Sequence, residues 1–301
     1  MRSLANSFGI LLDIDAKRQQ SLLAPNQFDH VLQQVLNRCS NSSQQLLAKL
    51  FPPLLDPPKP DEHPQDFVHS LEQGQFAYLQ LQLNDANQLS DFQIGLNRSL
   101  ESAEPYFLDF NKGQLGYRLL KQLSPRQDLF RAIGVKQGLR PRVLDCNAGL
   151  GRDSLLFAAI GCAVTSVERH PLLFLAVDDA LRRCLGSHST IAQHCAEIRL
   201  LFDDAETLLR DCDVESFDTV YLDPMFPERR KSAQVKHEAQ LLQYYCGDDD
   251  DSEKLLVIAR QRKFKRICVK RPLHSPFLNN EKPSLQYKGK STRFDVYFST
   301  P

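Results

Sequence analysis

Residues 143–153, Val-Leu-Asp-Cys-Asn-Ala-Gly-Leu-Gly-Arg-Asp, constrain the fold of this chain more than any other stretch. They read as a strand that ends in a glycine turn and opens into a helix over Ser154–Ile160. Asp145 closes the strand, and Gly149 and Gly151 make the turn. Glycine reaches positive φ without strain and lets a ligand approach the main chain. The first amides of the following helix have no partner within it and point outwards. Glu168 stands seventeen residues after Gly151, at the end of the strand-like run Ala163–Val167. An acid at the end of a second strand is placed to accept both hydroxyls of a ribose. The pattern is a nucleoside-cofactor half-site in an α/β fold.

A dinucleotide fingerprint would be G-x-G-x-x-G/A, but Ser154 occupies the third small position here. With Asp145 ahead of the glycines, the stretch has the form Asp-x-x-x-Gly-x-Gly. It resembles the S-adenosylmethionine loop of Rossmann-like methyltransferases. That cofactor carries an ammonium group and no pyrophosphate, and an acid near the turn can pair with the ammonium.

A second site follows the strand-like run Phe217–Leu222, in Tyr221-Leu222-Asp223-Pro224-Met225-Phe226-Pro227. It resembles the Asp/Asn-Pro-Pro-Tyr/Phe motif of methyltransferases that act on exocyclic amino groups. Such an amine has its lone pair delocalised into the ring and is a poor nucleophile. The Asp223 side chain and the Pro224 carbonyl can hold its two hydrogens and aim the lone pair, so the chemistry works by orientation. The proline fixes φ in the turn, and Phe226 can stack on the base.

Further strings join these two: Glu168-Arg169-His170-Pro171, Lys231-Ser232-Ala233, Val269-Lys270-Arg271-Pro272 and Arg293-Phe294-Asp295-Val296-Tyr297. In order and spacing, over roughly residues 105–301, they are similar to the J-type methyltransferase family of bacterial small-subunit ribosomal RNA, which methylates a guanine on N2. The resemblance implies S-adenosylmethionine as cofactor and small-subunit ribosomal RNA, or the small subunit itself, as partner. It places the cofactor at Arg152 and Asp153, at Glu168 and Arg169, at Ala205 and Glu206, and at Asp223. The residue types at Ala205 and Glu206 differ from the family's, and Asp204 is a more typical acceptor for an adenine amino group. The family's basic, glycine-rich stretch ahead of this domain is altered here to Tyr117–Arg126, which keeps some basic residues and no glycine.

Composition narrows the setting. At 42% apolar residues the chain can bury a substantial core. No stretch has the length and apolarity of a membrane span, and the first twenty residues lack the form of a signal peptide. The eight cysteines include no C-x-x-C pair and read as reduced thiols. No His/Cys spacing suggests zinc, and the proposed chemistry requires no metal. A cytoplasmic protein is expected. The net charge of zero conceals a split: residues 1–105 carry seven basic against twelve acidic residues, and residues 106–301 thirty against twenty-five. Arg229, Arg230 and Lys231 beyond the Phe226 loop, Lys270 and Arg271 at a strand end, and Arg293 are expected to contact RNA phosphates. Arg260–Lys265 reads as a solvated helix face.

The expected architecture is a Rossmann-like class I methyltransferase sheet over residues 106–301, behind a small α/β extension over 1–105. In the extension, Val31–Leu36 and Gln44–Phe51 read as helices, Phe51–Pro64 as a loop and Ala77–Leu83 as a strand. In the sheet, strands are expected at 142–146, 162–167, 199–203, 217–222, 265–270, 286–288 and 294–299, with helices near 126–133, 171–184 and 250–262. Other functions fit parts of the pattern: an N-methyltransferase for DNA adenine or a protein glutamine, a non-catalytic RNA-binding assembly factor, or a nicotinamide oxidoreductase. Ser154 and the lack of identifiable hydride-transfer residues disfavour the last.

Overall fold

A computed structural model describes residues 8–14, 38, 75–83, 89–97, 106–112, 116, 119, 123–224 and 251–299. The chain divides into two compact units, Met1–Leu108 with Pro171–Arg182, and Asp109–His170 with Arg183–Pro301.

The second unit holds a seven-stranded sheet. Its strands are β5 (Val143–Asp145), β6 (Val164–Glu168), β7 (Ile198–Phe202), β8 (Thr219–Leu222), β9 (Arg266–Pro272), β10 (Leu285–Lys288) and β11 (Thr292–Phe298), in the order β10-β11-β9-β8-β5-β6-β7. The strands from β5 to β9 run parallel, and β11 and β10 add an antiparallel edge. The chain steps outward from β5 to β7, then returns to the other side of β5 as β8. That reversal opens a crevice at the carboxyl ends of β5 and β8, where open α/β sheets bind ligands. Seven-strand order and helix placement are those of a Rossmann-like class I methyltransferase sheet.

The central strands are short runs buried on both faces, Val-Leu-Asp in β5 and Thr-Val-Tyr-Leu in β8, as expected for parallel strands covered by helices. On one face, Leu209 of α5 (Ala205–Asp211) and Leu255, Leu256, Ile258 and Ala259 of α6 (Ser252–Gln261) pack with Leu144, Val220, Leu222, Ile267 and Val269. Phe157 of α2 (Arg152–Ala159) meets Tyr221 edge-on, with ring centroids 4.9 Å apart. The short α1 (Asp128–Ala132) buries Leu129, Phe130 and Ala132, and the Ile133 carbonyl after it accepts the Thr219 hydroxyl at 2.7 Å.

Most expected elements of this unit are present, with shifted ends. Helix α2 begins at Arg152, earlier than expected, because Gly151 already caps it. Strand β8 begins only at Thr219, because Asp213 caps a 3-10 turn over Val214–Ser216. Two short helices were not expected, α4 (Ala192–Cys195) and α5. The 171–184 helix is α3 (Pro171–Leu185), most of which, Pro171–Arg182, belongs to the first unit.

In the first unit, β1 (Phe8–Ile14), β2 (Gln75–Leu83), β3 (Leu89–Asn97) and β4 (Tyr106–Phe107) form a four-stranded sheet in sequence order. Asp179 of α3, buried, accepts the Ile94 amide at 3.0 Å and pairs with Arg182 at 2.8 Å. The expected strand at 77–83 lies within β2. The helices and loop expected over 31–64, and residues 117, 118 and 120–122 of the altered segment, lie outside the described residues.

Neighbouring residues of α6 test this packing. Leu256 is fully buried and Val257 is 42% exposed. Leu256→Ala should lose roughly 2–5 kcal/mol of stability, and Val257→Ala less than about 0.5 kcal/mol. Urea unfolding of both variants measures the difference; equal losses would contradict the assigned face of α6.

Candidate functional site

The glycine turn is pinned to both neighbouring strands. The Cys146 amide donates to the Tyr221 carbonyl at 3.0 Å and the Ala148 amide to that of Val167 at 3.1 Å. Gly149 and Gly151 have φ of 54° and 68°, in the left-handed region that favours glycine. Asp145 is buried beneath the turn, where it accepts the Ser154 hydroxyl and, at 3.3 Å, the Asn147 amide. Ser166 in turn donates to Ser154 at 2.7 Å. The serine that breaks the dinucleotide fingerprint therefore holds the acid of the turn. Burial, reinforced by nearby Asp153 and Asp223, pushes the Asp145 carboxyl up to about 7 against the pull of Ser154.

Glu168 joins the second strand to the turn. Its carboxylate accepts the Gly149 amide at 2.8 Å and the His170 amide at 2.7 Å. Burial pushes it up to about 7 despite these bonds. Each carboxylate oxygen has two acceptor positions, so these amides leave capacity for hydroxyl donors. Beyond β7, Asp204 caps α5 by accepting the Glu206 and Thr207 amides at 2.9 and 3.2 Å, a standard N-terminal cap. Glu206 is ion-paired with Lys254 and Arg210, and Arg169 with Asp251.

At the end of β8 the register does what sequence alone does not show. Leu222 pairs with Val269, which brings Asp223 beside Lys270. The Lys270 ammonium sits 2.8 Å from Asp223 and 2.8 Å from Asp153, and the Tyr221 hydroxyl donates to Asp153 at 2.6 Å. Burial disfavours the charge on Lys270, but the two carboxylates outweigh it and hold the ammonium above the ordinary lysine range.

One cavity of about 250 Å³ runs along these strand ends. It is lined by Asp145, Gly149, Arg152, Asp153, Glu168, Arg169, Asp204, Ala205, Glu206 and Asp223, each picked out from the sequence. Gly151 is not in the lining; it shapes the turn and caps α2. Pro224 follows Asp223 and is buried. Phe226, Arg229, Arg230 and Lys231 lie outside the described residues. The lining also includes Asn147, Asp203, Tyr221, Asp251, Lys254 and Lys270, which sequence reasoning did not assign to a pocket. The buried Oδ1 of Asn147 has no hydrogen-bond partner.

Three residues expected on RNA are placed otherwise. Lys270 points into the cavity, between two acids. Arg271, 4% exposed, donates to the Pro276 carbonyl at 2.8 Å. Arg293, 3% exposed, pairs with Asp295 at 3.0 Å and donates to the carbonyls of Pro272, Leu273, Ser275 and Pro276. The Arg293 guanidinium is thus buried with its donors turned to main chain and a carboxylate. The Arg260–Lys265 run lies at the opposite, amino end of β9, where Lys265 pairs with Glu215 and Arg262 donates to the Cys212 carbonyl.

Residues 69–299 match the model of a family described as putative SAM-dependent methyltransferases. The chain is similar to proteins named ribosomal RNA small subunit methyltransferase J. That of Pseudomonas aeruginosa strain UCBPP-PA14 is 42% identical over 197 residues, 65% of this chain and 75% of the relative. That of Laribacter hongkongensis is 47% identical over 175 residues, 58% of this chain and 62% of the relative. The crystal structure of a SAM-dependent methyltransferase from Neisseria gonorrhoeae superimposes with a TM-score of 0.56 at 27% identity, covering 87% of this chain and 93% of the other.

The burial of Glu168 has a measurable consequence. Its folded value of about 7 lies above its ordinary 4.5, so the folded state keeps the proton longer than the unfolded chain does. The associated stability is complete below about pH 4.5 and declines as pH rises to about 7, by on the order of 3 kcal/mol. Glu168→Gln removes this dependence and adds only a pH-independent cost for the lost acceptor. Urea unfolding between pH 5 and 8 should show the wild type losing ground to the variant as pH rises; a constant gap would contradict the buried, readily protonated Glu168.

Proposed function

From the premise that this chain belongs to the J-type small-subunit ribosomal RNA methyltransferases, a family of SAM-dependent enzymes, we propose that it methylates the exocyclic N2 amino group of a guanine in small-subunit ribosomal RNA. The observation that carries this reading is the placement of Asp223 at the switch point, in the wall of the same cavity as the glycine turn and Glu168.

The residues fit S-adenosylmethionine in three parts, one at each successive strand end. At β5, the acid Asp145 and the turn suit the methionine ammonium and carboxylate, and the orphaned buried oxygen of Asn147 adds an acceptor there. At β6, Glu168 suits the ribose hydroxyls. Beyond β7, Asp203–Glu206 suit the adenine, with Asp204 as acceptor for its amino group. Arg152, Asp153, Arg169 and Ala205 complete the lining. When bound, the cofactor supplies an electrophilic methyl group on a sulfonium sulfur.

The chain's own task is then to present the amine. Asp223 and the Pro224 carbonyl accept its two hydrogens and turn the lone pair towards the cavity. Phe226 stacks on a base drawn out of its neighbours. Transfer would break the methyl–sulfur bond, leaving its electron pair on the sulfur, and the methylated amine would shed one proton, for which Asp223 is the neighbouring acceptor. Lys270 keeps Asp223 anionic and fixed, and acts through it as a positioning residue. Arg229, Arg230 and Lys231 lie directly beyond the Phe226 segment in sequence and are the remaining basic residues of that segment for RNA phosphates. No helix among the described residues is long and apolar enough to cross a membrane, and a cytoplasmic enzyme meeting ribosomal RNA accords with this reading.

Transfer of a labelled methyl group to small-subunit RNA, followed by nucleoside analysis, should place the label on N2-methylguanosine. Asp223→Ala should retain the fold and most cofactor binding and slow single-turnover methylation by about a hundredfold or more, the scale of a lost orienting group. Label on another nucleoside would remove the guanine assignment. A near wild-type rate for Asp223→Ala would remove the mechanism and favour a non-catalytic RNA-binding role.

A further inference from the structure

The carboxyl edge of the sheet is divided at Asp223. From β7 across β6 and β5 to the end of β8 it is taken up by the cavity, which reaches Lys270 of β9. A substrate that meets Asp223 from outside the cavity can approach along the neighbouring strands β9, β11 and β10. Two segments stand at that side of the same edge, the loop 272–276 after β9 and the turn 289–291 between β10 and β11. The register Pro272↔Thr292 sets them side by side. The Leu273 amide ties them by donating to the Ser291 carbonyl at 2.9 Å, and the Gly289 amide closes the turn on the Thr292 carbonyl at 2.8 Å.

Two buried arginines brace this ledge from below. Arg293 holds four carbonyls of the loop region at 2.7–3.2 Å, and Arg271 shares the Pro276 carbonyl. The Phe277 ring lies 5.2 Å from the Arg293 guanidinium. Burying two guanidiniums is costly, and what the arrangement achieves is a main-chain loop held rigidly beside Asp223 and Lys270. The outer surface is cationic. His274, Lys288 and Lys290 are exposed, and neither 272–276 nor 288–292 contains an acid. Neither lysine pairs with a carboxylate of the described residues, and both stand on the carboxyl edge that carries the cavity.

We propose that this ledge receives the sugar-phosphate backbone of the substrate RNA beside the target nucleotide, with Lys288 and Lys290 contacting phosphates. The proposal rests on the RNA-methyltransferase reading above. It explains why the arginines first expected on RNA are buried: they hold the surface that makes the contact.

The test uses the full chain, small-subunit ribosomal RNA and labelled S-adenosylmethionine. Lys288→Ala/Lys290→Ala should reduce the steepness of log affinity against log salt by roughly one to two units. It should raise KM for RNA while leaving kcat at saturating RNA and cofactor affinity unchanged. Lys288→Arg/Lys290→Arg should restore the slope. Lys265→Gln, at the opposite end of β9, should behave as wild type. If wild type binds and methylates the RNA but the double alanine variant keeps its salt slope and KM, the ledge is overturned while the function stands. If wild type neither binds nor methylates this RNA, that reading falls and the ledge with it.

Discussion

One ammonium group organises the site. Lys270, on the strand next to β8, reaches two carboxylates that belong to different segments: Asp153 at the start of α2 and Asp223 at the end of β8. Without it, two acids within two hydrogen-bond lengths of each other would face a partly buried cavity, where like charges disfavour each other's ionisation. With it, the two acids share one counter-charge and are held in register. The cofactor turn and the segment proposed to hold the amine are thereby linked across the switch point. Tyr221 extends the link, since its hydroxyl donates to the same Oδ2 of Asp153 that Lys270 reaches while its ring packs on Phe157 of α2.

The opposite half of the cavity is built on an unfavourable burial. Asp145 and Glu168 both lie where the charged form is poorly solvated, and both are pushed up to about 7. Their hydrogen bonds to Ser154, Gly149 and His170 limit that cost. Such perturbed carboxyls cluster at functional sites, and here they coincide with a cavity and a glycine turn. A cationic or hydroxyl-bearing ligand would supply what the protein leaves short, consistent with a cofactor that carries both.

The first half of the sheet was readable because β5 and β8 are short, mostly apolar runs that lead into turn residues, and because glycine at 149 and 151 answers a backbone need for positive φ. The acids at strand ends were legible for the same reason: in a parallel sheet the carboxyl end is a fixed place. The pairing of Lys270 and the burial of Arg271 and Arg293 were not legible, because charge pattern carries no information about burial. Their roles follow from the β8–β9 and β9–β11 registers, and pairing between strands distant in sequence leaves no local signal. Helix α5 is too short to show a helical period, although its cap, Asp204, was noticed for another role. Strand β3 carries a period of two in Phe92, Ile94 and Leu96, a local signal of the same kind as that over Ala77–Leu83.

The direct test of this account is the pH dependence of single-turnover methylation, at saturating cofactor and RNA, for wild type, Lys270→Met and Lys270→Arg. If Lys270 keeps the acid pair ionised and in place, the wild-type rate varies little between pH 6 and 9. Lys270→Met is then slower throughout and falls further as pH decreases, because two unneutralised carboxylates take up a proton more readily. Lys270→Arg recovers much of the rate and the flat profile, since a guanidinium can span both acids. A Lys270→Met enzyme with the rate and pH profile of wild type would contradict the central role given to this ammonium.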